Sequence, residues 1–377
     1  MKILIVIERR ADYSRFRPIL QKMKEDSFFH IHLVVTGICL LDKHGKDINY
    51  IKEDGFEISS EIPMFLDGAQ DRPSEMVRSL SRVMYDLAEE LDKVKPDLVL
   101  SGFDIGANFA VTVAAAHMNI PVAHIQGGEV TGSIDESLRH AMSKFAHIHF
   151  PATELSKKRL IRMGENPESI FVVGCPSIDV LVNTPILKKE VVEREVGIDL
   201  SKPTLLLIQH PVTTEWMNSF DQIKETIEAI KESKTQCIAL LPNNDAGYSK
   251  IIEYIKLSGI KWFPSLPTNI FVNLYRNVSA IIGNSSSGIH ESPTLGIPAI
   301  NIGTRQQGRE RAGNVIDVPY DRVKILEAIN KSLYDEDFRN YVRSIINPYG
   351  DGHAAERIVK ILKDINLKGI IQKKFYD

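Results

Sequence analysis

The sequence has few cysteines and no long hydrophobic run. Its 377 residues include three cysteines, Cys39, Cys175 and Cys237, which lie far apart in the chain. Such spacing favours reduced thiols and argues against a disulfide framework or a zinc site. No apolar run is long enough to cross a membrane, and the N-terminal MKILIVIERR is too short for a signal sequence. We therefore expect a cytoplasmic protein with no membrane partner.

The sequence also lacks an excess of charge of either sign. It has 46 basic and 49 acidic residues, a net charge of −3, and no block of lysines or arginines. Nucleic acid is therefore not an expected partner, and a small molecule is favoured. A hydrophobic content of 43% supports ordinary cores, and 377 residues exceed the usual size of one domain, so two domains are expected.

Strand-like and helix-like segments alternate along the whole chain. This pattern is typical of parallel sheets covered by helices on both faces. We predict an N-terminal domain over residues 1–180 and a C-terminal domain over residues 181–352, with a last helical segment, residues 353–377, crossing back onto the first domain. Ligands of such sheets bind beyond the carboxyl ends of the strands, so the polar loops that follow strands are the candidate sites.

The strongest candidate lies between residues 282 and 311. A buried strand ends at Ile282, and the loop GNSSSG that follows is predicted to lead directly into a helix. Backbone amides at such a helix start hold phosphate groups. Glu291, one turn into that helix, is placed to accept hydrogen bonds from two ribose hydroxyls, and Arg305 follows the next strand. A nucleotide diphosphate pocket is the favoured interpretation; the simpler one is a serine-rich helix cap.

Other polar loops follow predicted strands along the chain. Asp104 precedes an alanine-rich helix, and a long polar loop containing Glu129 and Asp135 follows the strand that ends at Ile125. In the second half, His210 follows another strand. Carboxylates and a histidine in such loops suit proton transfer, although Asp104 and Asp135 also suit a simpler role as helix caps.

Taken jointly, the loop motifs resemble the UDP-N-acetylglucosamine 2-epimerase family, and specifically its hydrolysing branch, which supplies N-acetylmannosamine for sialic acid synthesis. The motifs are RADYS (10–14), GGEVTGSIDES (127–137), RH (139–140), QHPVTT (209–214), PNNDAG (242–247), GNSSSG (283–288) and GTRQQGRE (303–310). The match covers nearly the whole chain. It implies an α/β fold similar to the GT-B glycosyltransferases, with two doubly wound, Rossmann-like domains and the UDP-sugar substrate in the cleft between them.

The resemblance also implies roles for individual residues. Catalysis in the family is carried by acidic residues of the first domain and a histidine of the second, which match Asp104, Asp135 and His210; Glu129 is a further candidate for the base. The residues expected to bind the nucleotide sugar are Arg10, Ser14, Gln126, Arg139, Asn243, Asp245, Asn284, Ser285, Ser286, Glu291 and Arg305.

The implied reaction eliminates UDP across C1 and C2 to form a glycal, and then adds water with inversion at C2. It needs a carboxylate base and donors for the leaving diphosphate, with His210 expected as the cation or acid, and no metal or redox cofactor. Family members are usually homo-oligomers, so a homodimer or homotetramer is expected.

Two departures from the family pattern define alternatives. Ile105 follows Asp104 where the family commonly has arginine, which suits a less hydroxylated sugar, namely a UDP- or GDP-linked 2,4-diacetamido-2,4,6-trideoxy sugar of the legionaminic acid pathway. Gln126 stands where the family often has a glutamate, and a glutamine cannot take up a proton near neutral pH. The second alternative is therefore a non-catalytic nucleotide-sugar-binding protein.

Overall fold

The computed structural model describes residues 1–42, 45–66, 68–104 and 106–377. Ile105, which motivates the alternative sugar, lies outside the described residues. No helix within the described ranges is long and apolar enough to span a membrane.

The first half of the chain forms a sheet of six parallel strands, with helices on both faces. The strand order is β3-β2-β1-β4-β5-β6, which is the doubly wound order. The elements are β1 (Lys2–Ile7), α1 (Arg10–Lys24), β2 (His30–Thr36), α2 (Ile48–Glu53), β3 (Ser60–Ile62), α3 (Pro73–Val94), β4 (Leu98–Gly102), α4 (Ala107–His117), β5 (Val122–Ile125), α5 (Ile134–Phe145), β6 (Ile148–Phe150), α6 (Glu154–Arg162) and α7 (Pro176–Asn183).

The second half repeats this architecture. Its strands are also parallel, and the order β9-β8-β7-β10-β11-β12 is the same doubly wound order counted from β7. The elements are α8 (Lys189–Val196), β7 (Thr204–Ile208), α9 (Ser219–Glu232), β8 (Gln236–Leu240), α10 (Tyr248–Leu257), β9 (Lys261–Phe263), α11 (Thr268–Asn277), β10 (Ala280–Gly283), α12 (Ser287–His290), β11 (Ala299–Ile302), β12 (Val315–Val318), α13 (Arg322–Tyr334), α14 (Glu336–Arg343) and α15 (Ala354–Asp364). The predicted fold class is confirmed.

The central strands are apolar throughout because helices cover both of their faces. In β1, Ile3, Ile5 and Ile7 belong to the core beneath α1 and α15, while Leu4 and Val6 belong to the core beneath α3 and α4. The side chains alternate between the two cores, as the period of two residues in a strand requires. The sequence run ILIVI therefore forms a strand buried on both sides.

The last helix returns to the first sheet. Ala355, Ile358 and Leu362 of α15 are buried in the core beneath α1. The carboxylate of Asp179 in α7 accepts hydrogen bonds from the first backbone amides of α15, those of Ala354 at 3.0 Å and Ala355 at 2.7 Å. This carboxylate satisfies amides that the helix itself leaves unpaired. The domain boundaries at residues 180 and 352 stay predictions.

One local expectation, that Glu291 lies one turn into a helix, differs from the structure. The helix after GNSSSG is only four residues long, because Pro293 belongs to a separate 3₁₀ turn over Ser292–Leu295. Glu291 therefore caps the carboxyl end of a single helical turn.

Candidate active site

The candidate site lies where the strand order of each sheet reverses. In each sheet the order reverses between the first and fourth strands, β1 and β4 in one and β7 and β10 in the other. A crevice opens at such a point beyond the carboxyl ends of the strands. Arg9 and Asp104 follow β1 and β4, and His210 and Asn284 follow β7 and β10. The two crevices meet in one cavity.

This cavity has a volume of about 270 Å³ and is lined from both halves of the chain. Nine of the predicted residues line it: Arg10, Ser14, Asp104, His210, Asn243, Ser285, Ser286, Glu291 and Arg305. The structure thus brings predicted residues of the first half of the chain together with predicted residues of the second half. Among the described residues, the other predicted ones lie behind this lining: Gln126, Glu129, Asp135, Arg139, Asp245 and Asn284.

Asp104 presents a carboxylate that two arginines hold. Arg139, fully buried in α5, donates to Oδ2 at 2.7 Å, and Arg9 lies 3.7 Å from Oδ1. Burial by itself raises the pKa of Asp104, but the charges of Arg139, Arg9 and Arg15 outweigh it and hold the pKa well below its ordinary value. Asp104 is therefore ionised. It does not cap α4, where Glu8 instead accepts the Ala107 amide at 2.7 Å.

His210 is held by backbone and side-chain contacts on the second sheet. Its Nδ1 accepts the Asn243 amide at 3.1 Å, so Nε2 carries the proton of the neutral ring. Burial, and then the charges of Arg305 and Arg9, lower its pKa well below the ordinary value. The side chain of Asn284 bonds both the amide and the carbonyl of His210, at 2.7 and 2.8 Å. The expected cationic form is thus disfavoured, and His210 is a neutral donor.

The GNSSSG loop begins in close contact with β7. Gly283 has φ +127, and a Cβ there would lie 2.2 Å from the Ile208 carbonyl oxygen, so only glycine fits. Within the loop, Ser287 Oγ donates to Glu291 Oε2 at 2.5 Å, which fixes one oxygen of that carboxylate. Arg305 donates to the Asn284 carbonyl at 3.2 Å and lies 3.6 Å from Asp135. Hydroxyls, a carboxylate and a guanidinium therefore share one wall of the cavity.

The residues behind the lining connect the two halves of the chain. Glu129 is buried, and its Oε1 accepts from Gln126 at 3.0 Å. Its Oε2 lies 3.1 Å from Nε2 of His290 and 3.5 Å from Arg309. Burial raises the pKa of Glu129, but His290 and Arg309 outweigh burial and hold it well below the ordinary value. Gln126 thus contacts Glu129 where direct contact with substrate was expected.

Asp135 in the first half of the chain is close enough to Asp245 in the second half for its charge to affect the pKa of Asp245. Burial and then the charge of Asp135 raise the pKa of Asp245 above its ordinary value. Asn243 donates to Asp245 at 2.6 Å. Both carboxylates lie behind the cavity lining. Asp135 holds Arg305, and Asp245 holds Asn243.

Several residues that line the cavity, among them Arg15 and Ser265, were not identified from the sequence. Arg15 donates to Ser286 Oγ at 3.2 Å and lies over the Phe103 ring at 4.8 Å. Arg10 donates to Ser265, which comes from the loop after β9, at 3.0 Å. Arg15 directly follows the RADYS motif, which is the signal that could have identified it. Within the described part of the chain, no group of three or more His, Cys, Asp or Glu side chains is arranged to hold a metal ion.

Comparison with known proteins identifies the family. Residues 21–363 match the family model described as UDP-N-acetylglucosamine 2-epimerase. A hydrolysing UDP-N,N'-diacetylbacillosamine 2-epimerase of Legionella pneumophila is 37% identical, over 99% of this chain and 98% of its own. A UDP-N-acetylglucosamine 2-epimerase of Neisseria meningitidis is 30% identical, over 88% of this chain and 87% of its own.

A further relative and a solved structure are also 2-epimerases of this kind. A hydrolysing GDP/UDP-N,N'-diacetylbacillosamine 2-epimerase of Campylobacter jejuni is 31% identical, over 100% of this chain and 99% of its own. The crystal structure of UDP-GlcNAc 2-epimerase from Neisseria meningitidis bound to UDP-GlcNAc shares the fold, with a TM-score of 0.82, 21% identity, and coverage of 97% of this chain and 100% of that one. Since the family model matches most of its length, this chain belongs to the UDP-N-acetylglucosamine 2-epimerase family.

Proposed function

We propose that this enzyme is a hydrolysing 2-epimerase of a UDP-linked 2-acetamido sugar. The observation that carries the proposal is the shared cavity: the ionised Asp104 faces it from the first sheet, and the serine loop, Glu291 and Arg305 face it from the second. One side suits the removal of a proton from a sugar, and the other suits a nucleotide diphosphate.

The nucleotide binds on the side of the second sheet. Ser285, Ser286 and Arg305 hold the diphosphate oxygens, and Arg15 reaches them from α1. Glu291, with one oxygen fixed by Ser287, accepts from the ribose hydroxyls. Asn243 and Asp245 support this half through the loop that bonds His210.

The first step is an elimination. Asp104 takes the proton from C2, the electron pair of that bond forms the C1–C2 double bond, and the C1–oxygen bond breaks so that UDP leaves with its pair. The low pKa of Asp104 makes it a weak base in the protein alone. The negative diphosphate offsets the positive field of Arg9 and Arg15 on Asp104, which raises its proton affinity when substrate binds. Neutral His210 and Arg305 donate to the leaving oxygens.

The second step is the addition of water to the glycal. The water oxygen bonds to C1, and a proton is delivered to C2 on the face opposite to the one that lost it. The products are UDP and the free sugar inverted at C2, and no redox change occurs. The glycal must stay in the closed cleft until water adds, so release follows opening of the cleft.

For the sugar we favour N,N'-diacetylbacillosamine, a 2,4-diacetamido-2,4,6-trideoxy sugar. Two hydrolysing relatives, at 37% and 31% identity, carry that substrate in their names. Ile105 in place of the arginine common in the family removes polar reach, which suits a sugar with fewer hydroxyls. N-acetylglucosamine is the second candidate, favoured by the Neisseria relative at 30% identity.

The test is proton NMR of the purified enzyme in heavy water with each UDP-sugar separately. We expect UDP and a free manno-configured diacetamido sugar carrying deuterium at C2, formed faster than N-acetylmannosamine from UDP-N-acetylglucosamine. Faster turnover of the latter would reverse the order of the two substrates. Binding of both sugars without any UDP release would favour the non-catalytic alternative. Asp104→Asn should bind UDP but form neither product.

A further inference from the structure

The direction of Asp104 depends on an unusual backbone conformation at the residue before it. Phe103 has φ 73, the left-handed region that a bulky residue rarely adopts. Such a conformation persists only where the surroundings enforce it. The Phe103 amide donates to the Ile125 carbonyl at 3.0 Å, and its ring lies 5.1 Å from that of Phe16. These contacts fix the amide and the ring and leave the carbonyl to be held by another group.

That group is His124 of β5. Its Nε2 lies 3.1 Å from the Phe103 carbonyl oxygen, which can only accept, so Nε2 carries the proton. Nδ1 of the neutral ring is then an acceptor, and Ser143 Oγ, 3.1 Å away, is the donor that faces it; the single hydroxyl proton of Ser143 is shared between Nδ1 and the Arg139 carbonyl. His124 is fully buried, and burial lowers its pKa to about 3. The ring therefore keeps one tautomer and no charge near neutral pH.

The same histidine contacts the helix that carries the arginine holding Asp104. Ser143 lies one turn after Arg139 on α5, and its Oγ is 3.1 Å from the Arg139 carbonyl. Arg139 in turn donates to Asp104 at 2.7 Å. His124 thus connects with the peptide before Asp104 and with the helix that carries its cation.

We propose that His124 is a positioning residue, which holds the Phe103 carbonyl and thereby keeps the carboxylate of Asp104 directed into the cavity. The proposal deepens the proposed function and rests on it for the kinetic consequence. A displacement of about 1 Å at a reacting group lowers a rate on the order of 100-fold. In the part of the chain that the structure describes, the side-chain hydrogen bonds of His124 go to Phe103 and Ser143, both in the first half.

Two substitutions separate the two hydrogen bonds of the ring. His124→Asn places its amide near the Nδ1 position and is too short to reach the Phe103 carbonyl, whereas His124→Gln extends a donor to the Nε2 position. We expect His124→Asn to lower kcat about 100-fold with KM and UDP affinity changed less than about twofold, and His124→Gln to stay within about 10-fold of wild type. Ser143→Ala, which keeps the ring, should cause a smaller loss than His124→Asn.

The matched control is His149→Asn. His149 is the register partner of His124 on β6, equally buried, and its Nε2 bonds Glu165 at 2.9 Å. It should lose thermal stability, as His124→Asn does, and keep a kcat within about threefold of wild type. Equal losses of kcat in His124→Asn and His124→Gln, or a loss in the control as large as in His124→Asn, would overturn the positioning role.

A second readout does not depend on turnover. Crystal structures of wild type and His124→Asn should differ at Phe103, whose φ leaves the positive region, and at Asp104, which loses its Arg139 contact. An unchanged Phe103 and Asp104 in the variant would reject the proposal. If the wild-type enzyme released UDP from neither sugar, the proposed function would fall, and this structural comparison would still decide the role of His124. If His124→Asn does not fold, Ser143→Ala and His124→Gln carry both measurements.

Discussion

Glu8 is a buried carboxyl group at the end of β1, next to Arg9. Burial, partly offset by the charge of Arg9, raises its pKa from 4.5 to about 7. Folding therefore favours the protonated form, and this contribution to stability is fully present below pH 4.5 and is lost as the pH rises through 7.

The substitution Glu8→Gln tests this contribution, because an amide oxygen can still accept the Ala107 amide that Glu8 accepts at 2.7 Å. Relative to the variant, wild type should lose roughly 3 kcal/mol of unfolding free energy between pH 4.5 and pH 8. Urea unfolding at several pH values measures the difference. Parallel curves for the two proteins would show that Glu8 does not titrate in this range.

Arg15 and Arg17 lie on the same helix but face different surroundings. Arg15 lines the cavity and donates to Ser286, whereas Arg17 donates to Asp54 at 2.6 and 2.9 Å. A charged hydrogen bond to a phosphate is worth about 1.5–3 kcal/mol. We expect Arg15→Ala to weaken UDP binding 10-fold or more, measured by calorimetry, and Arg17→Ala to leave it unchanged. Equal effects of the two substitutions would argue against a diphosphate contact by Arg15.

At the residue scale, the sequence allows a prediction of which loops line the cavity, but not of how their side chains pack. Glu291, Ser285 and His210 line the cavity because the loops that follow parallel strands all lie at the same edge of the sheet. The pKa of His210 is lowered by burial and by the charge of Arg305, which is distant in sequence, so of the two expected roles, cation or acid, the structure favours a neutral proton donor. No local pattern carries that information.

At the scale of elements, the first backbone amides of α10 are capped by a carboxylate from the first half of the chain. Asp71, which precedes α3, accepts from the amides of Gly247 and Ser249 at 2.7 and 3.0 Å and from Ser249 Oγ at 2.6 Å. A carboxylate at a helix start is stabilising, both as a cap and through the helix dipole. The capped loop also carries Asn243, which holds His210.

We expect Asp71→Ala to lower the unfolding free energy by about 1 kcal/mol and to weaken UDP binding about 3- to 10-fold. Asp321→Ala is the matched control, since Asp321 caps α13 through Lys324 at 2.9 Å, outside the cavity lining. The control should lose similar stability and keep the affinity for UDP. Loss of affinity in both variants would mean that the effect comes from general destabilisation.

Long and central elements can be predicted from the sequence, because a strand buried on both faces and an amphipathic helix such as α3 have strong patterns. The short edge strands β3, β9 and β12 were not predicted. Their residues are mostly exposed or half-buried, so no run of apolar residues marks them. The helix after GNSSSG ends at His290, before a separate 3₁₀ turn that contains Pro293, so Glu291 lies at its carboxyl end and not inside it.

At the scale of the whole molecule, the two halves approach closely enough that backbone meets backbone. The Gly132 amide donates to the Arg305 carbonyl at 3.0 Å, and a Cβ on Gly132 would lie 1.9 Å from the Thr304 oxygen. Next to this contact, Glu129 is buried against His290 and Arg309. Apart from His290, these residues lie in motifs identified from the sequence, but only the fold shows that the motifs meet.

The Glu129 cluster should therefore hold the two halves together. Glu129→Gln leaves Arg309 buried without its carboxylate, and breaking a buried pair in this way costs about 3–5 kcal/mol. The exposed pair of Lys52 and Glu61, at 3.0 Å, provides the control, and Glu61→Gln should cost less than about 1 kcal/mol. Denaturant unfolding gives both values, and small-angle scattering should show a larger radius of gyration for Glu129→Gln.

The pH dependence separates a charge effect at Glu129 from a packing effect. Its pKa in the folded protein lies below the ordinary value of 4.5, so its stabilisation is present above pH 4.5 and is lost as the pH falls towards the folded pKa. The stability difference between wild type and Glu129→Gln should therefore be largest near pH 7 and shrink in acid. A difference that stayed constant down to pH 3.5 would show that the amide disturbs packing and that the ion pair does not hold the halves together.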